Sequence, residues 1–229
     1  MKRLFILLAA VFIAGTALAQ EAQTMYIIHN NTITHQIPLS EIDSIVFETP
    51  VFPPTEVGVV INGIRWATRN VDAPGTFAPY PESSGMLFQW NRRVGWSSTG
   101  EVTDWNSSPV AGTAWYAEND PCPAGWRVPT FAELFSLDFA AGGGTWTTNW
   151  NDTGVNGRLF GTAPYQIFLP AAGWRSNIGA LHSVGTVGGY WSSTYAESGF
   201  IHQAWFGSAF FTIAWGSPPE GFSVRCVAE

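Results

Sequence analysis

The segment D-P-C-P-A-G-W-R-V-P-T, residues 120–130, contains one of the two cysteines of this 229-residue chain and ends where a helix is predicted to begin. Thr130 is a favourable N-cap, and Glu133, three residues later, completes a T-x-x-E capping box. Apolar residues then recur at helical spacing until a run of three glycines at 142–144. The second cysteine, Cys226, lies near the end of the sequence. A bond from it to Cys122 would tie the middle of the chain to its end.

Residues 1–19 have the features of a secretory signal peptide. A basic start and a short apolar run precede the small-x-small sequence A-L-A at residues 17–19. We therefore predict cleavage before Gln20 and export, which leaves a secreted, surface or periplasmic protein. The apolar run is too short for a transmembrane segment, and we predict no such segment elsewhere in the sequence.

The charge composition argues against several functions. The sequence has 17 acidic and 10 basic side chains and a formal net charge of −7, which disfavours nucleic acid and anionic membranes as partners. Its only lysine is Lys2, inside the predicted signal peptide, so Schiff-base chemistry and a phosphate-loop lysine are excluded. Twelve tryptophans and sixteen phenylalanines provide a large apolar core, while frequent glycine and proline favour short strands and ordered loops.

We divide the chain into a small N-terminal β unit at residues 20–49, a proline-rich linker at 50–57 and a main domain at 58–229. Within the main domain, Asn62 and Gly63 form the turn of a predicted hairpin, because both turn positions need positive φ. Long loops are predicted at 91–119, 145–165 and 171–189. Strands are predicted at 25–28, 32–37, 44–47, 57–61, 64–67, 86–90, 166–169, 190–194, 201–206, 209–214 and 222–227.

Five separated blocks of the main domain occur together, in this order, in a known family. They are W-A-T-R-N at 66–70, D-P-C-P-A-G-W-R-V-P-T at 120–130, F-L-P-A-A-G at 168–173, Y-W-S-S-T at 190–194 and G-F-S-V-R-C-V at 221–227. They resemble the Fibrobacter succinogenes major paralogous domain family, over residues 58–229. The resemblance implies an α+β, C-type lectin-like fold with short twisted antiparallel sheets, one or two helices and long ordered loops. It also implies a distant relation to formylglycine-generating enzymes and an exported protein.

The resemblance further implies a disulfide between Cys122 and Cys226, because C-type lectin-like domains commonly join the helix region to the last strand in this way. Export favours oxidation of the pair, and two free buried thiols are the alternative. Formylglycine-generating enzymes use a pair of reactive cysteines near the C-terminal part of the domain. Cys226 has no neighbouring cysteine, so we assign no catalytic residue.

The block at 120–130 is interpreted as scaffold. We expect Trp126 to pack and Arg127 to bridge to a carboxylate or a carbonyl. Thr130 and Glu133 are expected to start the main helix. This interpretation gives all four residues structural roles.

Metal sites receive little support from residue spacing. The string W-N-D at 150–152 occurs in calcium-dependent lectins, but here it precedes the F-L-P-A-A-G block and has no partner motif, so we interpret it as coincidence. Calcium needs six to eight oxygen ligands, and this region supplies only a few. His182 and His202 are far apart in sequence, which disfavours a transition-metal site. We expect no metal and no cofactor.

Aromatic faces stack on sugar rings, but most tryptophans here fall in apolar or alternating blocks that are typical of a core. Those assigned to the core are Trp66, Trp90, Trp126, Trp191 and Trp205. Trp174 is the better surface candidate, because it opens a glycine-rich loop that lies near the usual ligand face of C-type lectin-like folds. The predicted recognition surface consists of Trp174, Arg175, Asn177, His182 and Glu197.

The sequence therefore predicts an exported, non-enzymatic recognition or adhesion module that binds a glycan or a surface protein, with its oligomeric state left open. One alternative is a structural surface or pilus-associated subunit that uses residues 20–49 for docking by strand addition. Another alternative is an enzyme related to the formylglycine-generating proteins that works without their cysteine pair.

Overall fold

The computed structural model describes residues 24–29, 32–39, 56–108, 110, 112–139, 142–197 and 199–229. The chain forms two compact units, Met1–Val51 and Phe52–Glu229. Among the residues described, none of the helical segments has the length and apolar character that a membrane-spanning helix needs.

The first unit contains an antiparallel pair of strands, β1 (Thr24–His29) and β2 (Thr32–Pro38). These strands match the first two predicted ones. The predicted signal peptide at 1–19, the strand at 44–47 and most of the linker at 50–57 lie outside the described residues.

The second unit consists, in its described part, of short strands and one α-helix, α1 (Phe131–Phe139). The strands are β3 (Val59–Ile61), β4 (Ile64–Trp66), β5 (Leu87–Gln89), β6 (Gly95–Trp96), β7 (Trp126–Arg127), β8 (Thr145–Thr147), β9 (Gly157–Thr162), β10 (Tyr165–Pro170), β11 (Trp174–Arg175), β12 (Leu181–His182), β13 (Gly188–Tyr195), β14 (Ile201–Phe206), β15 (Phe211–Gly216), β16 (Gly221–Phe222) and β17 (Val227–Ala228). Short 3₁₀ turns occur at Ala117–Asn119 and Trp150–Asp152.

These strands form four small sheets, and every strand pairing within them is antiparallel. The strand orders are β3-β4-β17-β7, β12-β11-β16-β5-β6, β13-β14-β15 and β10-β9-β8. The second unit is therefore α+β and mostly β, with one helix in its described part.

The hairpin predicted from Asn62 and Gly63 is present between β3 and β4. Both turn residues have positive φ, 53° and 80°, a conformation that asparagine tolerates and glycine adopts without steric cost. The hairpin prediction is confirmed.

The segment before the helix is folded against the last strand of the chain. Asp120 accepts hydrogen bonds from the backbone N–H groups of Cys122 and Val128, at 2.8 and 3.0 Å. Cys122 is bonded to Cys226, and their Cα atoms are 6.1 Å apart. The predicted disulfide is therefore present, and it anchors this segment beside β17, which pairs with β7.

A capping box starts α1. The Thr130 backbone N–H donates to the Glu133 carboxylate at 2.7 Å, and the Glu133 N–H donates to the Thr130 hydroxyl at 3.3 Å. Arg127 donates two further bonds to the same carboxylate, at 2.6 and 2.8 Å. Burial alone would raise the pKa of Glu133, but its bonds to Arg127 and Thr130 lower it overall. The helix start is thus fixed by side chains of the quoted segment.

Four predicted elements need correction. The predicted loop at 91–119 contains β6, which pairs with β5. The predicted loop at 145–165 contains β8 and β9, and the loop at 171–189 contains β11 and β12. The predicted strand at 222–227 is broken, because only its two ends lie in strands, β16 and β17. All of residues 221–227 are nevertheless buried, since this segment runs between two sheets.

The apolar core has two clusters, which meet at β13. Tyr190 belongs to the cluster with Phe160 and Leu137, whereas its neighbour Trp191 belongs to the cluster with Phe88. Successive residues of a strand point to opposite faces. Strand β13 therefore forms the wall between the two clusters.

Candidate functional site

Arg175 is fully buried, beneath the loop at 97–100. Its guanidinium donates to the backbone oxygens of Ser97, Thr99, Gly100 and Gly179, at 2.6 to 3.1 Å. Burial lowers its pKa. This corrects the prediction that Arg175 lies on a recognition surface, because its donors are used to hold the loop at 97–100.

Trp174 and His182 lie side by side on β11 and β12, with ring centroids 5.0 Å apart. Trp174 is half-buried, since it also packs against Trp205 and Phe222, at 5.9 and 6.0 Å between centroids. His182 is exposed. This pair reaches the surface, but Trp174 contributes mainly to packing.

Asn177 and Glu197 are both exposed. The backbone oxygen of Asn177 accepts a bond from the Ser107 hydroxyl at 2.9 Å, which links its loop to the loop at 104–119. Glu197 comes just after the C-terminal end of β13. Gly188, at the N-terminal end of β13, lies beside Gly173. A strand rises about 3.3 Å per residue, so roughly 20 Å separates the two ends. The structure does not bring Glu197 together with Trp174, and their ligand contacts stay a prediction.

A groove of about 750 Å³ lies between residues 89–96 and residues 104–119. We call it the loop groove. Its lining combines amides, two arginines, a carboxylate and aromatic rings, supplied by Gln89, Asn91, Arg92, Arg93, Val94, Trp96, Asp104, Asn106, Val110, Tyr116 and Asn119. Ligand sites of small molecules usually have volumes of about 300 to 1,000 Å³, so the loop groove has the size of a small-molecule site.

Two buried amides hold the walls of the loop groove together. Gln89 donates to the backbone oxygens of Asn106 and Pro219, at 2.7 and 2.9 Å. Asn91 accepts bonds from the Tyr116 N–H and the Asn119 side chain, at 2.8 and 3.2 Å. Since both amides are almost fully buried, the walls are fixed before any ligand arrives.

The two arginines of the loop groove have different roles. Arg92 donates to the backbone oxygen of Ser108 at 2.7 Å and to that of Asn106 at 3.4 Å, and burial lowers its pKa. Arg93 is exposed and donates to the backbone oxygen of Asp120 at 2.7 Å. Arg92 therefore cross-links the walls, while Arg93 keeps several N–H groups directed to solvent.

The ligand-facing chemistry comes from four exposed or half-buried side chains. Asp104 is exposed at a positive φ of 61° and has no hydrogen-bond partner among the described residues. Asn106 accepts a bond from the Ser108 N–H through its side-chain oxygen, at 3.0 Å, which leaves its NH₂ group for a ligand. Trp96 and Tyr116 add aromatic surface, and Tyr116 is 44% exposed. The set offers acceptors, donors and apolar faces in one place.

Sequence reasoning missed the loop groove because all its lining residues except Gln89 belong to the predicted loop at 91–119. No spacing within that loop indicates which side chains converge. One signal was available: an unstructured connection does not need several tryptophans, so their presence in a polar loop indicates that the loop is packed and ordered. Trp96 and Trp105 do pack together, with centroids 5.0 Å apart.

The string W-N-D has a packing role in the structure. Trp150 stacks on Phe168 with centroids 4.5 Å apart and an interplanar angle of 7°. Asp152 accepts a bond from the Asn149 side chain at 3.3 Å. In the described part of the chain, no three His, Cys, Asp or Glu side chains are grouped as metal ligands would be.

Comparisons of this chain with protein-family models, with curated proteins and with solved structures found no match.

Proposed function

We propose that this chain is an exported recognition module that binds a glycan in the loop groove, and that its second unit is a C-type lectin-like domain. The fold proposal is supported by the small antiparallel sheets, the helix and the long-range disulfide. Export is supported by the features of residues 1–19 and by the disulfide, which belongs to oxidising compartments.

The observation that carries the proposal is the preformed mixture of polar and aromatic groups in the loop groove. A sugar ring presents hydroxyl groups that both donate and accept, and C–H groups that are slightly positive. The Asp104 carboxylate accepts from hydroxyls, and the Asn106 amide donates to them. The negatively charged face of an aromatic ring attracts the C–H groups. The loop groove supplies all three kinds of contact.

The charge of the loop groove favours a neutral or weakly charged glycan. The cations Arg92 and Arg93 are opposed by Asp104, and Arg92 is already bonded to backbone oxygens. A polyanion would meet the net negative charge of the whole chain. Because the buried residues Gln89 and Asn91 fix both walls, little conformational entropy is lost on binding.

The proposal is tested by a glycan array followed by calorimetric titration of the glycans that bind. The test variants are Asp104→Asn and Tyr116→Ala, which alter the loop groove. The matched controls are Asp152→Asn in W-N-D and Tyr165→Ala, an exposed tyrosine elsewhere. A hydrogen bond to a charged group contributes about 1.5 to 3 kcal/mol, so we expect Asp104→Asn to weaken binding by about tenfold or more.

Both controls should bind as the unmodified protein does. Titrations with calcium and with a chelator should give the same affinity, because the proposed contacts do not include a calcium ion. The proposal fails if no glycan binds. It also fails if Asp152→Asn abolishes binding while Asp104→Asn leaves it unchanged, because the site would then lie at W-N-D.

A further inference from the structure

Strand β15 is an open sheet edge in the part of the chain that the structure describes. It is the last strand of the sheet β13-β14-β15 and has six residues, all paired with β14. Among the described residues, no backbone group outside β14 bonds to it. The opposite edge is covered, since the N–H groups of Trp191 and Ser193 donate to the oxygens of Ser223 and Pro129, at 3.1 and 2.7 Å.

The β15 edge lacks the usual protection against pairing with another chain. Soluble proteins protect open edges with charged residues, proline or bulges. The sequence of β15, F-T-I-A-W-G, has no charge and no proline, and its pairing with β14 has no register shift. Such an edge presents unpaired N–H and C=O groups together with apolar side chains.

The apolar side chains at this edge extend its contact surface. Trp215 is 70% exposed, and Phe200, 44% exposed, stacks on it with centroids 6.4 Å apart. Phe211, Ile213 and Trp215 share one face of the strand because side chains alternate. Phe211 and Ile213 pack partly against the core, so of the three Trp215 is the exposed one. An exposed tryptophan beside unpaired backbone is costly for a monomer in water and is typical of an interface.

We propose that β15 pairs with β15 of a second copy of this chain, in antiparallel orientation about a two-fold axis. Such an axis, normal to the sheet, places residues of the same face opposite each other. When Ile213 lies opposite Ile213 of the partner subunit, Phe211 lies opposite Trp215 of the partner subunit, and Thr212 lies opposite its Ala214. Aromatic and β-branched cross-strand pairs are among the favourable ones.

A second copy suits this edge better than a charged or proline-rich segment does. The two strands have the same length, the same apolar face and no charge to repel. A two-fold interface needs a surface that is complementary to itself, and the pattern of β15 is self-complementary in this register. The inference does not depend on the loop groove.

The test measures the mass of the full chain by size-exclusion chromatography with light scattering over a series of concentrations. We expect a dimer that dissociates to half the mass in the double variant Thr212→Lys with Trp215→Lys. Both changed side chains are exposed, so folding should be kept, which circular dichroism and thermal unfolding will check. The matched control is Tyr165→Lys with Ile178→Lys, at residues 70% and 74% exposed elsewhere, and it should stay dimeric.

The register is tested by cysteine cross-linking. Both native cysteines are in the disulfide, so introduced cysteines are the only free thiols. Thr212→Cys with Ala214→Cys should form a covalent dimer, since opposite residues have Cβ atoms about 4.5 to 5.5 Å apart. Thr212→Cys alone should not. The inference is wrong if the unmodified chain is a monomer at all concentrations, if its dimer is unaffected by the lysines, or if a different chain occupies β15.

Discussion

At the scale of single residues, buried arginines organise the loops of this protein. Arg225 is almost fully buried and donates to the Asn70 side chain and to the backbone oxygens of Ala67 and Phe168, at 2.7 to 3.2 Å. Burial lowers its pKa to about 10. Arg158 bonds to backbone oxygens of two other loops in the same way. Loop carbonyls lack ladder partners, and a guanidinium offers five donors to satisfy them.

Glu56 gives a pH-dependent contribution to stability. Its carboxylate accepts from Arg69 at 2.8 Å and from the N–H groups of Gly58 and Thr68 at 3.0 Å. Burial alone would raise its pKa, but these bonds lower the pKa below the ordinary 4.5. The lowered pKa makes Glu56 stabilising above pH 4.5, and this stabilisation is lost as pH falls through the folded-state pKa.

We therefore expect Glu56→Gln to lower the free energy of unfolding at pH 7 by about 2 to 4 kcal/mol, because Arg69 and two half-buried N–H groups lose a charged partner. The difference from the unmodified protein should shrink as the pH falls below 4.5. Urea unfolding at a series of pH values measures it. The exposed Glu118→Gln serves as control, and equal differences at all pH values would contradict the prediction.

At the scale of elements, local signals predicted the hairpin at Asn62–Gly63, the start of α1 and the range of β14. Each depends on neighbours in sequence, such as a turn pair, a capping box or alternation. The strand β9 was missed because Gly157 and Arg158 are typical of a loop. In the structure, a Cβ at Gly157 would lie 2.6 Å from the Phe168 ring, so close packing requires glycine there.

The candidate site was missed for a related reason. Arg175 follows a tryptophan at the start of a glycine-rich loop, as an exposed ligand-binding arginine would. Its burial is decided by Ser97 and Gly100, which are more than seventy residues away in sequence. The loop groove likewise depends on Gln89 reaching Pro219. Contacts of this range are set by the whole fold and leave no pattern in a local stretch.

At this scale we predict how much the disulfide contributes to the free energy of unfolding. Its two cysteines are 104 residues apart, and closing a loop of that length stabilises by about 4 to 5 kcal/mol in the chain-entropy model. We expect Cys122→Ser with Cys226→Ser to lose that much in guanidinium unfolding. Reduction of the unmodified protein should give a similar loss. A loss below about 1 kcal/mol in both would show that the disulfide does not stabilise the fold.

At the scale of the whole molecule, β13 couples the two core clusters. Tyr190 donates to the Pro170 oxygen on one side at 2.9 Å, and Trp191 donates to the Phe88 oxygen on the other at 2.7 Å. Neither cluster can lose its packing without disturbing the strand that bounds the other. The second unit should therefore unfold as one cooperative body.

Truncation of either cluster tests this coupling. Phe160→Ala and Phe88→Ala remove buried rings from different clusters and should each cost about 3 to 5 kcal/mol. Near- and far-ultraviolet circular dichroism should report one shared transition for each variant. The exposed Tyr165→Ala should change the unfolding free energy by less than about 0.5 kcal/mol. Two separate transitions in either core variant would refute the coupling.

The bond between Cys122 and Cys226 also determines how the chain carries tension. A pulling force applied before Cys122 and after Cys226 passes through the covalent bridge, so residues 123–225 are off the load path. Those residues include α1 and most of the strands, whereas both walls of the loop groove precede Cys122 and stay on the load path. A stretched residue contributes about 3.3 to 3.6 Å, so the bridge withholds roughly 350 Å of chain. Reduction of this one disulfide would place residues 123–225 under load, and the chain would then extend much further under the same force.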